Sequence, residues 1–376
     1  MIARGCWILV LSCAVCGELR GADDNKPTLP KPQYEHDGVV VPGASADEPL
    51  AKEFNLTAGL EYLERGNAAW NGARQCVSCH TNGIYMTVRP ALTKWLGQPT
   101  PAAREHFVKT LATLEGVERK DLKKSTRPAQ VIYTAAGLAE WDAQVTGNLS
   151  DETRRALRLM LDVQLDSGTF GTLECWPPYE SDAYHEATVA AMALATAPGW
   201  LAAMDDASKT KVELLKKYLV ETNPPHDYSR LLLLWTATRW PGLVSDERRR
   251  ELVDGVWKHQ REDGGWSIRT FAAPEAWGNG SRAAKLKAEP EFATTPSDGH
   301  QTGLAVIVLR DAGVEANDPR LEKAARWLLA NQRVSGRWWT RSLNTDGPHY
   351  ITYSGTAFPL LALAKCGKLP EARTAR

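Results

Sequence analysis

The sequence predicts an all-α chain folded as an α/α toroid of about six inner and six outer helices. Three observations lead there. Period-two alternation is almost absent, while helical spacing recurs throughout. The helices are of two kinds, one with a single apolar stripe and one apolar nearly all round. The two kinds alternate along the chain. A striped helix covers a core on one side and meets water on the other, whereas an all-round apolar helix is buried on every side. Their alternation gives two concentric layers about an axis, and six pairs are enough to close a ring.

In chain order, residues 1–22 read as a secretory signal. Arg4 is a short basic start, Gly5 to Gly17 is an apolar run too short for a permanent membrane anchor, and small and polar residues follow from Gly21. Such a chain is exported, to a periplasm or outside the cell, with Cys6, Cys13 and Cys16 lost on cleavage. Residues 23–50 are rich in Pro, Asp and Gly without periodicity, an extended leader that is poorly ordered or draped over the fold. Residues 51–370 form one toroid domain. Its striped helices begin near Thr57, Pro101, Asp151, Ser208, Asp246 and Pro319, and its buried ones near Tyr85, Ala129, Tyr184, Tyr228, Gln301 and Thr352. Thr100-Pro101, Ser150-Asp151, Ser245-Asp246 and Asp318-Pro319 each offer an N-cap with Pro or an acid behind it.

Between the first outer and first inner helix stands Cys76-Val77-Ser78-Cys79-His80, inside an attachment loop at residues 75–81. Cys-x-x-Cys-His is the pattern of covalent haem attachment. Each thiol forms a thioether to a haem vinyl group, and the histidine becomes the proximal iron ligand. This predicts haem c on Cys76, Cys79 and His80. Zinc is the alternative cofactor, but a structural zinc site wants a second Cys or Cys/His pair, and Cys175 and Cys366 stand alone. A thioredoxin-type pair would adjoin a βαβ pattern, which is missing. A disulfide between Cys76 and Cys79 stays open in an oxidising compartment. Basic and acidic residues balance at 45 each, which points to neither a nucleic-acid nor an acidic-membrane partner.

Three outer helices end in Gln-x-x-x-Gly-x-aromatic: Gln164 to Phe170, Gln260 to Trp266 and Gln332 to Trp338. These strings resemble the QW repeats of squalene–hopene cyclases. Gln301-Thr302-Gly303-Leu304-Ala305 is similar to the Gln-Thr-Ala-Trp-Ala helix of those enzymes, and Gly355-Thr356-Ala357-Phe358-Pro359 to their terminal Gly-Thr-Gly-Phe-Pro. The resemblance covers roughly Ser150 to Gly367. It implies the terpenoid cyclase/prenyltransferase-like toroid, Gln side chains that bridge helix ends, and a cavity for an isoprenoid or other apolar small molecule. The Asp-x-Asp-Asp acid of such cyclases is missing. Asp205-Asp206 is the nearest pair and lies in a hydrophilic connection. Tyr184-His185-Glu186-Ala187 faintly resembles the zinc-histidine helix of protein prenyltransferase β subunits, without their Asp-x-Cys.

All outer-to-inner connections fall at one end of such a ring, so the box shares its mouth with three Asp-His pairs: Asp182/His185, Asp298/His300 and Asp346/His349. Glu180, Glu186, Tyr184, Tyr350 and Tyr353 surround them. Asp182, His185, Asp298, His300 and His349 are the candidate catalytic residues. The competing reading is that the three acids cap helices. A haem that only carries electrons needs a sixth ligand, for which His300 or His349 is favoured; His36, His106, His226 and His259 receive no role. The sequence thus suggests an exported haem protein near an apolar cavity, redox-active or ligand-binding, with a redox partner protein. The alternative is a non-redox cyclase- or transferase-like enzyme using Asp/His acid–base groups, with zinc at the box. A third reading makes the toroid a binding module that displays exposed tryptophans to a partner.

Overall fold

The structure, a computed structural model, describes residues 31–171, 177–179, 182–290 and 292–370. The signal segment, Cys175 and Glu180 lie outside the described residues. Among the described residues, twelve helices build the ring. The odd-numbered ones are α1 (Leu56–Ala73), α3 (Pro101–Glu115), α5 (Asp151–Asp162), α7 (Asp206–Glu221), α9 (Asp246–Lys258) and α11 (Pro319–Ala330). The even-numbered ones are α2 (Asn82–Val88), α4 (Arg127–Trp141), α6 (Ala183–Thr196), α8 (Asp227–Arg239), α10 (Gly299–Asp311) and α12 (Ile351–Lys365).

The even helices pack in sequence, α2 on α4, α4 on α6, on through α8, α10 and α12, and α12 packs back on α2. The inner ring is closed. Its members are buried nearly all round, every residue from Gly299 to Leu309 of α10 and from Ile351 to Ala364 of α12 included. The odd helices lie outside, each against inner neighbours: α1 on α12 and α2, α5 on α4 and α6, α11 on α10 and α12. In α9 only Leu252 and Val256 are buried, the one-sided burial its stripe predicts. The chain is therefore the all-α toroid expected, with helix starts at the expected residue or within three residues of it. Ser150, Ser245 and Asp318 cap their helices through the side chain, whereas Thr100 does not and leaves the start to Pro101.

The three Gln-x-x-x-Gly-x-aromatic segments join the outer layer. Gln164 Nε2 donates to the Gly168 and Lys211 carbonyls, both at 3.0 Å. Gln260 Nε2 reaches the Gly264 and Arg320 carbonyls at 2.9 and 3.0 Å. Each amide thus links its own loop to the start of the next outer helix. Gln332 does so across the seam of the ring. Its Nε2 donates to the Asn55 carbonyl at 2.9 Å, and its Oε1 accepts from the Asn55 amide at 2.6 Å. Gly336 makes this contact possible: it has φ +85°, and a Cβ there would lie 2.2 Å from the Ala58 carbonyl carbon. Trp266 and Trp338 donate indole N–H bonds to the Val256 and Leu328 carbonyls and are fully buried.

Ahead of α1, Tyr34–His36 (β1) pairs antiparallel with Val39–Val41 (β2), and the hairpin packs on α1. Arg337 pairs with Glu48 at 2.9 Å, both side chains nearly buried, so residues 31–50 strap the last outer loop to the first outer helix. The described tryptophans are buried or partly buried, with Trp70, Trp95, Trp257, Trp327 and Trp339 in the partly buried class. Among the described residues no helix is long and apolar enough to cross a membrane.

Candidate functional site

The box occupies the turn from α1 into α2. Asn82, fully buried at the start of α2, holds it shut. Its Oδ1 accepts from the Ser78 amide at 2.7 Å and from Ser78 Oγ at 3.1 Å, and its Nδ2 donates to the Cys76 carbonyl at 3.0 Å. The Gly83 amide donates to the Ser78 carbonyl, and a Cβ on Gly83 would lie 2.3 Å from that oxygen. The tight turn thus needs glycine at 83 and an amide side chain at 82. His106, given no role by the sequence, lies against the box with Nε2 3.4 Å from the Cys76 carbonyl.

No disulfide joins Cys76 and Cys79; Cys76 is half-buried and Cys79 buried. With His80 they line a cavity of about 170 Å³, completed by Trp70, Val77, Ser78, Thr126 and Gln130. The His80 ring is stacked on Tyr350 at 4.7 Å and met edge-on by Trp70 at 4.9 Å. Burial pulls its pKa down to about 4, so the imidazole is neutral at ordinary pH. Burial also raises the Cys76 thiol, partly countered by Arg74.

A second cluster lies at the same end of the ring, at the N-termini of the inner helices. His185 Nδ1 lies 2.6 Å from the Pro178 carbonyl and its Nε2 3.4 Å from the Tyr133 hydroxyl. His300 lies between Ser354 Oγ at 2.7 Å and the Tyr228 hydroxyl at 3.2 Å. Tyr179 bonds to the same Ser354 hydroxyl, and its ring lies 6.0 Å from His300 and 6.3 Å from His185. Burial lowers His185, and lowers His300 to about 3.

The carboxylates do other work. Asp182 caps α6 through the His185 amide at 2.8 Å and faces His226 Nε2 at 3.3 Å. Burial alone would raise its pKa; the His226 contact and the neighbouring histidines bring it below the ordinary value. Asp298 caps α10 through the Gln301 amide at 2.9 Å and accepts from the Ile268 amide at 2.7 Å. Burial outweighs these bonds and lifts it to about 6. Both acids are helix caps, the competing reading of the sequence. Asp346 caps nothing: it is exposed and pairs with Lys285 and Arg341.

The two histidines favoured as sixth ligand lie elsewhere in the ring. Neither His300 nor His349 lines the cavity of the box. Both ring nitrogens of His300 are engaged by Ser354 and Tyr228. The His349 ring packs on Trp339 at 4.5 Å, at a residue with φ +51°. Among the described residues no group of three His, Cys, Asp or Glu side chains converges as a metal site.

A third feature runs along the ring axis. A narrow cavity of about 50 Å³ is walled by Ile84, Val189, Met192, Leu232, Leu304 and Phe358. His185, Tyr133, Tyr179 and Tyr228 stand toward the mouth. Glu140 and Arg239, ion-paired, stand with Thr196 at the helix C-termini. Sequence reasoning missed Tyr133, Tyr179, Ser354, His226 and Asn82. Only Tyr179, beside the Asp-His connection, left a local trace.

No protein-family model and no curated protein matches the chain. Among solved structures it is similar to a variant of the type II terpene cyclase MstE from Scytonema in complex with geranylgeranyl dihydroxybenzoate. That match has 12% identity and a TM-score of 0.43 over 82% of this chain and 97% of the other. The same cyclase without ligand gives 12% and 0.44 over 82% and 98%. A protein from Actinoplanes gives 15% and 0.44 over 76% and 90%. At these values the likeness assigns neither activity nor ligand to this chain.

Proposed function

We propose that the chain is an exported c-type haem protein, with the haem attached at the mouth of the ring and a small apolar molecule held on its axis. The observation that carries the reading is that Cys76, Cys79 and His80 line one cavity whose other walls offer no further metal donor. That suits haem and not zinc, because haem thioethers engage the thiols away from the iron while zinc needs them converged on the metal. Cys76 and Cys79 would hold the porphyrin and His80 the iron. When bound, the haem supplies one-electron chemistry and an iron open to ligands. The protein's own part is to keep His80 neutral by burial, to fix its ring between Trp70 and Tyr350, and to lock the loop through Asn82.

Since no second Met, His or Lys lines that cavity, the reading favours ligand binding over pure electron carriage; reducing equivalents would come from a partner protein. Protein purified from cells competent in cytochrome maturation should show a haem Soret band that moves on adding cyanide. A haem spectrum indifferent to cyanide returns the function to electron transfer, and a colourless protein overturns the reading. The axial cavity supports an apolar occupant. It is about a third of the roughly 150 Å³ that holds benzene in an engineered core. An isoprenoid-like molecule therefore requires the walls to part, and Met192 is the adaptable side chain among them.

The non-redox reading keeps one observation in its favour: His185 lines the axial cavity, where burial lowers its pKa and favours the neutral imidazole. Metal analysis separates the two, iron against zinc.

A further inference from the structure

His80 is the inner end of a buried hydrogen-bonded line. Its Nδ1 lies 2.9 Å from Thr81 Oγ1, and Thr81 Oγ1 lies 3.0 Å from the Tyr34 hydroxyl. Thr81 is fully buried and Tyr34 almost so. Tyr34 belongs to β1, where it pairs with Val41, and its ring is fixed by Trp70, Tyr350 and Tyr353 at 5.5 to 6.4 Å. A Cβ on Gly66 of α1 would come within 3.2 Å of that ring, so the first outer helix is cut away to admit it.

We propose that Thr81, held in place by Tyr34, is the positioning residue of the haem's proximal histidine. The inference rests on the haem reading of the box. A histidine that gives Nε2 to iron carries its proton on Nδ1. Nδ1 is then a donor only, and the acceptor at hydrogen-bond distance is the Thr81 hydroxyl. The contact satisfies the ligating tautomer and sets the rotation of the ring, while Trp70 and Tyr350 set its plane. An acceptor on Nδ1–H also makes the imidazole a stronger donor to iron, which favours the oxidised state. The hairpin ahead of the ring is in this way part of the cofactor's surroundings, although it supplies no ligand.

The test is a redox titration of the full haem-loaded chain as wild type, Thr81→Val, Thr81→Ser and Tyr34→Phe, with haem content measured alongside. Thr81→Val is expected to raise the midpoint potential, so that at a fixed ambient potential the reduced-to-oxidised ratio rises about tenfold. Thr81→Ser, which keeps the hydroxyl, should stay at the wild-type value, and Tyr34→Phe should move in the direction of Thr81→Val by less. A general loss of packing would not be rescued by Ser in this way. Thr81→Val with full haem content and an unchanged potential overturns the inference. If Thr81→Val does not fold, an unchanged potential in Tyr34→Phe overturns it equally. A wild-type chain that takes up no haem instead sinks the haem reading, and this inference with it.

Discussion

At the residue scale, buried titratable groups pull in opposite directions. Asp298 rises from its ordinary 3.8 to about 6, so between those values the folded protein keeps a proton that the unfolded chain releases. Its contribution is present at the acid end of that window and is lost as pH rises through it. His300 falls from 6.5 to about 3, so the folded protein refuses a proton that the unfolded chain takes up, and that contribution is lost as pH falls. His185 shifts in the same direction as His300. The two histidines together outweigh the one acid, and stability should decline on acidification. Asp298→Asn removes the offset. Its loss of stability between about pH 6 and pH 4 should be steeper than the wild type's by roughly 2 kcal/mol, as read by urea unfolding at the two pH values. Equal slopes would mean that Asp298 ionises normally. The sequence exposed the chemistry-bearing residues of the box because Cys76, Cys79 and His80 are neighbours in the chain. It concealed what holds them, because Asn71, Tyr34 and Tyr350 reach the loop only through packing. The acids were legible as caps or as chemistry, and Asp182 and Asp298 do cap their helices through amide partners.

At the element scale, helix type was readable because stripe and all-round apolarity are local patterns, and Gln332 shows what was not. Its spacing to Gly336 marks a helix end, but its bonds to Asn55 lie at the far end of the chain. Gln332→Ala loses the bonds to both Asn55 groups and to the Gly336 carbonyl. At about 1 kcal/mol each it should cost roughly 3 kcal/mol in chemical denaturation. Gln164→Ala, with two such bonds, should cost less. A larger loss from Gln164 would show that the seam is not specially held. Glycines divide in the same way. Gly336→Ala drives a methyl into the Ala58 backbone and should lower Tm sharply, whereas Gly147→Ala meets nothing within 4 Å. Gly147, at φ +72°, should cost only the roughly 1–2 kcal/mol of left-handed backbone.

At the scale of the whole molecule, closure of the ring is the fact that gives the box a setting. Six helix pairs made closure expected, and the contact of α12 with α2 completes it. The strap that reinforces it was hidden by a Pro-, Asp- and Gly-rich composition, in which Tyr34, Val41 and Glu48 gave no periodic signal. Glu48→Ala leaves the nearly buried Arg337 guanidinium without its carboxylate, at a cost of about 3 kcal/mol, and Arg337→Ala should be of similar size. If both variants unfold with the wild type, the strap contributes nothing to closure. The ring also separates two chemistries: the thiols and His80 open on its mouth, while the apolar cavity runs beneath Tyr179 and His185.

The central claim is that Cys76 and Cys79 carry a haem. Intact-mass measurement of the exported chain, made in cells with haem-attachment machinery, tests it without reference to any activity. The expected result is a polypeptide heavier by one haem under denaturing conditions, and a double variant Cys76→Ser/Cys79→Ser with the bare polypeptide mass. A wild-type chain at the bare mass, or with its two thiols joined to each other, would contradict it.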